Sequence, residues 1–379
     1  MRIALIAGDI NNDYRVANNK WGGVTYYRLF LPKLGLEEIT DWKVDLWGNE
    51  FLDEIDATNQ ETVAQSYVDF FNKYDAVVIK HFDNPNAGRF LAFASDYTGT
   101  PIITDLDDNV LKVRDDQPAS KKGYSKGDEK LAVVGTMISF SKGLFVTNDF
   151  LGKQIQKDVK AACGVDIPYY VLPNTNNLEE WAKYKSKTNK DKVVIGWHGS
   201  LTHDADLKSI KKPLERLLKE YPHVHLALLG GVSSDLAIEM FKDWDLEVLN
   251  RIELIRGTES WHNFPYHLMK QRWDIGIAPL INDDFNKSKS NIKWLEYAMK
   301  KIPCVASDVL PYKTIEHDKT GKLCKTQKDW YESLKELIED PVKRRKLGSN
   351  AFREVKANWQ YKDRANEWKE AFEDVLKKN

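Results

Sequence analysis

Phe285-Asn286-Lys287-Ser288-Lys289-Ser290-Asn291-Ile292-Lys293-Trp294-Leu295-Glu296-Tyr297-Ala298-Met299-Lys300-Lys301-Ile302-Pro303-Cys304-Val305-Ala306-Ser307 is the stretch whose reading decides the fold. A polar loop, Asn286 to Lys289, runs into a helix that Ser290 is placed to cap, with Ile292, Leu295, Ala298 and Met299 on one apolar face. Pro303 ends that helix, and Cys304-Val305-Ala306 reads as a short apolar strand leading into Ser307.

Upstream of this stretch the same alternation repeats. Val193-Val194-Ile195-Gly196-Trp197-His198-Gly199-Ser200 predicts a strand and loop, followed by a helix over roughly Ala205–Tyr221. Strands are predicted at His225–Leu229 (ending in Gly230-Gly231), Ile252–Ile255 and Asp274–Ala278. The first half alternates in the same way, with strands at Ile3–Ala7, Val44–Trp47, Ala76–Ile79, Pro101–Thr104 and Gly143–Thr147. Apolar runs separated by helices predict mainly parallel sheets covered on both faces, with ligands collecting at the carboxyl ends of the strands. That rule singles out Gly8-Asp9, Lys80-His81, Asp105 to Asp108 and Asn148.

Pro173, three asparagines and a lysine-rich tract up to about residue 190 mark a linker. The division expected is therefore residues 1–172, a linker over 173–190, and a second domain over 191–359. The charged tail from Pro341 to Asn379 reads as helical, with Trp359, Trp368, Phe372 and Val375 as apolar anchors. Its Lys343-Arg344-Arg345-Lys346 cluster suits phosphate or nucleic acid, and more often such a cluster is a solvated helix face.

A chain of 379 residues is long for one domain, and its formal net charge of −1 gives no global attraction to nucleic acid or membrane. Three widely spaced cysteines, Cys163, Cys304 and Cys324, suit reduced thiols in a cytoplasmic protein rather than a disulfide framework or a zinc site. No stretch approaches the roughly 18 apolar residues of a membrane span.

Trp21-Gly22-Gly23-Val24-Thr25 opens the first helix, where glycines and exposed N–H groups admit a ligand or simply a tight turn. It is not the GxGxxG pattern of a dinucleotide site. Asp105, Asp107 and Asp108 suit a divalent cation, a general base with a raised pKa, or a turn and helix cap.

Read in order, several segments resemble retaining GT-B glycosyltransferases of the large group-1, family 4-like class. They are Gly22-Gly23, Pro173-Asn174, Ile195 to Ser200, Asp274 to Leu280, Phe285-Asn286, the Lys289-Ser290…Lys293…Glu296 block, Ile302 to Ser307, and His317 to Gly321. The block from Ser290 to Glu296 followed by Pro303 and Ser307 is the most specific part. The resemblance implies two Rossmann-like domains with parallel sheets facing across a cleft. It also implies a C-terminal helix, about 360–379, packed back on the first domain.

For the site, the resemblance implies that Glu296 accepts hydrogen bonds from a ribose, which suits a bidentate acceptor. On the residues alone, an i,i+4 pair with Lys300 is the better account of Glu296. N–H groups at the start of the Ser290 helix can receive phosphate, aided by the helix dipole. Asn286, Ser288, Lys289, Lys293, His198, Gly199, Ser200 and Arg256 complete the expected donor set.

Two departures stand out. Ser288 occupies a position where the family usually has a second glutamate, and the loop after Trp197 lacks the family's usual Arg and Lys. Lys287, Lys289 or Arg256 is then expected to neutralise the diphosphate. On the first domain, His81, Asp107 and Asp108 are the candidate acceptor-facing, catalytic residues.

The implied activity is hexosyl or pentosyl transfer, with retention and without a metal or cofactor, from a nucleotide-diphosphate sugar. The acceptor is a saccharide, a lipid-linked glycan or a hydroxylated base of viral DNA. Alternatives are an NDP-sugar 2-epimerase of the same fold and a non-catalytic nucleotide- or glycan-binding module.

Overall fold

The computed structural model describes residues 1–7, 22–48, 59–80, 85–113, 129–186, 191–200, 203–231, 234–258 and 261–378. Among the described residues, twelve strands form two sheets of six. The first holds β1 (Arg2–Ala7), β2 (Lys43–Trp47), β3 (Ala76–Lys80), β4 (Ile102–Leu106), β5 (Gly143–Val146) and β6 (Tyr169–Val171) in the order β2-β1-β3-β4-β5-β6. The second holds β7 (Val193–Gly199), β8 (Val224–Gly230), β9 (Ile252–Ile255), β10 (Ile275–Ala278), β11 (Cys304–Ser307) and β12 (Lys322–Cys324) in the order β12-β11-β10-β7-β8-β9.

Every strand pair is parallel. The central strands explain why. Ala76-Val77-Val78-Ile79-Lys80 is buried at every position, as a β-branched run must be when helices cover both faces. Each order reverses once, between β1 and β3 and between β7 and β10. Those reversals open the two crevices where ligands bind in doubly wound sheets.

The predicted strands all appear, and two short ones, β6 and β12, are additional. With three residues each, they are too brief to show a period. The helix expected over 205–221 is two helices, Asp204–Lys208 and Lys211–Glu220. The turn between them carries Ser209, whose hydroxyl donates to the Asp206 carbonyl at 2.6 Å.

The two halves share one apolar cluster, which joins Ile3, Leu5 and Phe145 to Val194, Trp273, Trp294 and Tyr297. The chain crosses back at its end. The Tyr361–Lys378 helix leaves the second half and lays Trp368, Phe372 and Val375 against the first. Phe145 meets the Trp368 and Phe372 rings edge-on at centroid distances of 5.4 and 5.0 Å.

Glycines let the strand ends of the second sheet approach closely. Gly230, at the end of β8, has φ +108°, and a Cβ there would sit 2.3 Å from the Gly199 carbonyl oxygen. Gly230→Ala is therefore expected to cost about 1–3 kcal/mol through backbone strain. A chemical-denaturation midpoint equal to that of the parent would show that the loop relaxes without cost.

Candidate functional site at the facing strand ends

The helix that follows the polar loop spans Ile292–Met299, not from Ser290 onward. Asn291 holds the cap position without a side-chain cap bond and donates instead from Nδ2 to Thr314 Oγ1 at 3.1 Å. The expected Ser290 cap is thus corrected. Its hydroxyl accepts from Asn174 Nδ2 at 2.9 Å, so the serine ties the two halves together rather than closing a helix end.

Glu296 is 4% exposed. One carboxyl oxygen, Oε1, accepts from the Tyr27 hydroxyl of the first half at 2.8 Å. The other, Oε2, lies 3.1 Å from His198 Nε2 without hydrogen-bond alignment, and both atoms are buried with no partner. Burial raises the Glu296 pKa against the pull of Tyr27 and Lys293. Burial, then repulsion from Lys293 and His203, lowers that of His198. The contact is therefore between a proton-retaining carboxyl and a neutral imidazole, not an ion pair.

Lys300 does not pair with Glu296. It donates to Ser186 Oγ at 2.9 Å, to the Met269 carbonyl at 3.2 Å and to the Gln271 carbonyl. The helical-pair account of Glu296 therefore fails.

Tyr27 reaches Glu296 from a widened turn. Gly23–Thr25 is α-helical, Tyr26–Phe30 is π-helical, and Leu31–Ile39 is α-helical again. Inserted π turns break the usual helical facing, and here three consecutive side chains, Tyr26, Tyr27 and Arg28, are all buried. Gly22 and Gly23 open this helix.

Across the cleft the three aspartates each hold a different cation. Arg28, fully buried, grips Asp105 with contacts of 2.6 and 3.1 Å. Lys80 at the end of β3 donates to Asp107 at 2.8 Å. Lys289, from the second half, donates to Asp108 at 2.9 Å. Among the described residues no cluster of His, Cys, Asp or Glu could hold a metal ion. His81 lies outside the described residues.

The expected Asn286–Lys289 loop begins instead as a short helix, Asp284–Lys287, capped by the Asp283 side chain, and this segment is bolted to the first half. Asn148 Nδ2 donates to the carbonyls of Lys287, Ser288 and Lys289 at 3.3, 3.0 and 2.9 Å, while its Oδ1 caps the next helix at Leu151. Ser288 is fully buried, and its hydroxyl donates to the Asp284 carbonyl at 2.8 Å. Asn286, also fully buried, donates to Asp206 Oδ1 at 2.9 Å and to the Ile281 carbonyl at 3.0 Å.

His203 Nδ1 lies 2.9 Å from Asp206 Oδ2, and His203 Nε2 lies 3.2 Å from Lys293 Nζ. Gly199 ends β7, paired with Gly230, and Ser200 follows it. Arg256 follows β9 and is exposed.

The structure thus brings Glu296, His198, Lys293, Lys289, Ser290, Asn286, Asp107 and Asp108 to the facing strand ends. Tyr27, Arg28, His203 and Asp206 belong there too, and the sequence reading did not select them. A lone arginine inside the apolar Tyr26–Leu31 run, and a His and an Asp three apart at a helix start, are the signals that could have found them.

Between Asn148, Phe150, Asn174, Ser290, Asn291 and Trp359 lies a cleft of about 500 Å³, large enough for a sugar or nucleotide. No helix among the described residues is long and apolar enough to cross a membrane.

No protein-family model matches the sequence, and no curated protein matches it. Solved structures do. Anabaena Alr3699/HepE in complex with UDP-glucose superposes with a TM-score of 0.66 at 15% identity, covering 99% of this chain and 100% of that one. A glycosyltransferase from Rickettsia africae ESF-5 gives 0.66 at 14%, covering 100% and 99%. Sucrose-phosphate synthase (tll1590) from Thermosynechococcus elongatus gives 0.64 at 14%, covering 100% of both chains. With two six-stranded parallel sheets facing across a cleft, this chain has the GT-B fold of those glycosyltransferases.

Proposed function

We propose that this protein transfers a glycosyl group from a nucleotide-diphosphate sugar to an acceptor hydroxyl, with retention of anomeric configuration and without a metal. The observation that carries the reading is that Glu296 and Lys289 of the second half reach Tyr27 and Asp108 of the first, at the facing ends of the two sheets. In this reading the donor's ribose hydroxyls take the Glu296 carboxyl in place of the Tyr27 hydroxyl, whose 2.8 Å bond has the same chemistry. The diphosphate meets the N–H groups that begin the Ile292–Met299 helix, together with Lys289 and Lys293. As the sugar–phosphate bond breaks, those donors stabilise the charge growing on the leaving diphosphate.

The acceptor, a saccharide or lipid-linked glycan, enters from the first half beside Asp107 and Asp108. Loosening either aspartate from its lysine leaves a carboxylate able to take the acceptor's proton. Uridine is the base we favour, because UDP and UDP-glucose occupy HepE, a structure of the same fold.

The test is a thermal-shift series with UDP, UDP-glucose, UDP-N-acetylglucosamine and GDP-mannose. A ligand held at about 100 times its dissociation constant adds about 2.7 kcal/mol of stability. No shift with any nucleotide-sugar would overturn the reading. Sugar interconversion without acceptor would replace transfer by epimerisation, and binding without turnover would leave a binding module.

A further inference from the structure

Lys293 and Lys300 stand two turns apart on one helix, both buried, and they are served very differently. An ammonium has three N–H donors. Lys300 places them on the Ser186 hydroxyl and the Met269 and Gln271 carbonyls. Lys293 is 7% exposed, and His203 Nε2 at 3.2 Å is its only hydrogen-bond acceptor among the described residues. A buried ammonium with two uncommitted donors is a poor structural element, because a buried charge is tolerated only when fully hydrogen-bonded. It is well suited to an anion that arrives later.

The partner on its other side is fixed in depth. Asp206, 1% exposed, accepts through Oδ1 from the Ile281 N–H at 2.8 Å and from Asn286 Nδ2 at 2.9 Å. Its Oδ2 faces His203 Nδ1 at 2.9 Å. A carboxylate on one ring nitrogen and an ammonium on the other admit a single neutral tautomer, with the proton on Nδ1 and the lone pair on Nε2. Burial, then the Lys293 and Lys289 charges, hold the His203 pKa down and the ring neutral. The order is therefore backbone to aspartate to histidine to lysine, each link directional.

We propose that His203 and Asp206 are positioning residues that hold the Lys293 ammonium for the donor's diphosphate. The inference rests on the nucleotide-sugar reading above and adds to it a means of supplying charge. The loop after β7 carries no Arg or Lys. It carries the acceptor chain that orients a cation projecting from the facing helix.

The test measures the preference for UDP over uridine by calorimetry, in a double-mutant cycle on the full chain. Lys293→Met is expected to lower that preference about tenfold, the loss of one charge-assisted contact. His203→Leu is expected to lower it by a similar factor in the parent and to have no further effect beside Lys293→Met, because His203 acts only through Lys293. His203→Gln, whose amide can donate to Asp206 and accept from Lys293, is expected to keep the preference. His203→Asn, too short to serve both, replaces the leucine variant if that one does not fold.

An unchanged preference in His203→Leu, or an equal further loss beside Lys293→Met, would overturn the inference while leaving the nucleotide site standing. A parent that binds UDP no better than uridine would overturn both.

Discussion

Arg28→Met is expected to destabilise the protein by roughly 3–5 kcal/mol, the cost of stranding a buried charge. Arg28 has no exposed side-chain surface, and neither has Asp105, the carboxylate it grips at 2.6 Å. Its remaining N–H groups reach the Leu172 carbonyl and, at 3.3 Å, Asn174 Oδ1. Its guanidinium also lies over the Trp368 ring, 5.0 Å from the centroid. One side chain therefore joins the first helix, the end of β4, the chain leaving β6 and the last helix. Methionine replaces the stem but leaves Asp105 with Lys80 at 3.9 Å as its nearest cation.

Arg28→Met combined with Asp105→Leu removes both charges and is expected to recover much of the loss, since a matched apolar pair is often no worse than a buried ion pair. Urea denaturation of the single and double variants decides the matter. A single variant within about 0.5 kcal/mol of the parent, the range of an ordinary surface change, would show that Asp105 is accommodated without the arginine.

Glu296→Ala is expected to weaken UDP-sugar binding at least about tenfold, because it removes two hydrogen bonds to the ribose, each contributing about 0.5–1.5 kcal/mol, and leaves the ribose hydroxyls without partners. Glu296→Gln separates binding from folding. The amide still accepts from Tyr27, so the tie between the halves survives, but it no longer offers two acceptor oxygens to a ribose. Stability should move the other way. The folded protein holds the Glu296 proton more tightly than the unfolded chain does, because burial raises its pKa. Above the ordinary glutamate value of about 4.3 the folded state therefore binds more protons, and its stability falls as pH rises. Glu296→Gln removes that fall, so its advantage over the parent should grow as pH rises above about 5. Tighter folding with weaker nucleotide binding marks a residue kept for a ligand. Unchanged affinity in calorimetry would take Glu296 out of the site.

Much of the architecture was legible because parallel strands buried on both faces leave unbroken apolar runs, as at Ala76–Ile79 and Ile3–Ala7. The rule that ligands gather at carboxyl strand ends selects Lys80, Asp107, Asp108 and Asn148, which do stand at or just beyond strand ends, whereas Gly8, Asp9 and His81 lie outside the described residues. What was not legible depended on contacts between distant segments. Ser290 reads as a helix cap from its neighbours, but Asn174, 116 residues away, claims its hydroxyl. Glu296 reads as half of an i,i+4 pair, yet Tyr27 lies 269 residues off and Lys300 is drawn to backbone carbonyls. Arg28 and Tyr27 were hidden by the π turn, which places successive side chains where an ordinary helical wheel would not.

The return of the Tyr361–Lys378 helix to the first sheet also governs the order in which the molecule can mature. That sheet is made first, yet Gly143 is bare so that Val375 can approach, within 2.9 Å of where a Cβ would stand. Tyr170 waits for Asp374, to which its hydroxyl donates at 2.6 Å. During synthesis the first half therefore carries an open apolar flank until residues 361–378 have emerged. Its consolidation is tied to a loop closure over 204 residues, which slows folding and prolongs exposure to aggregation.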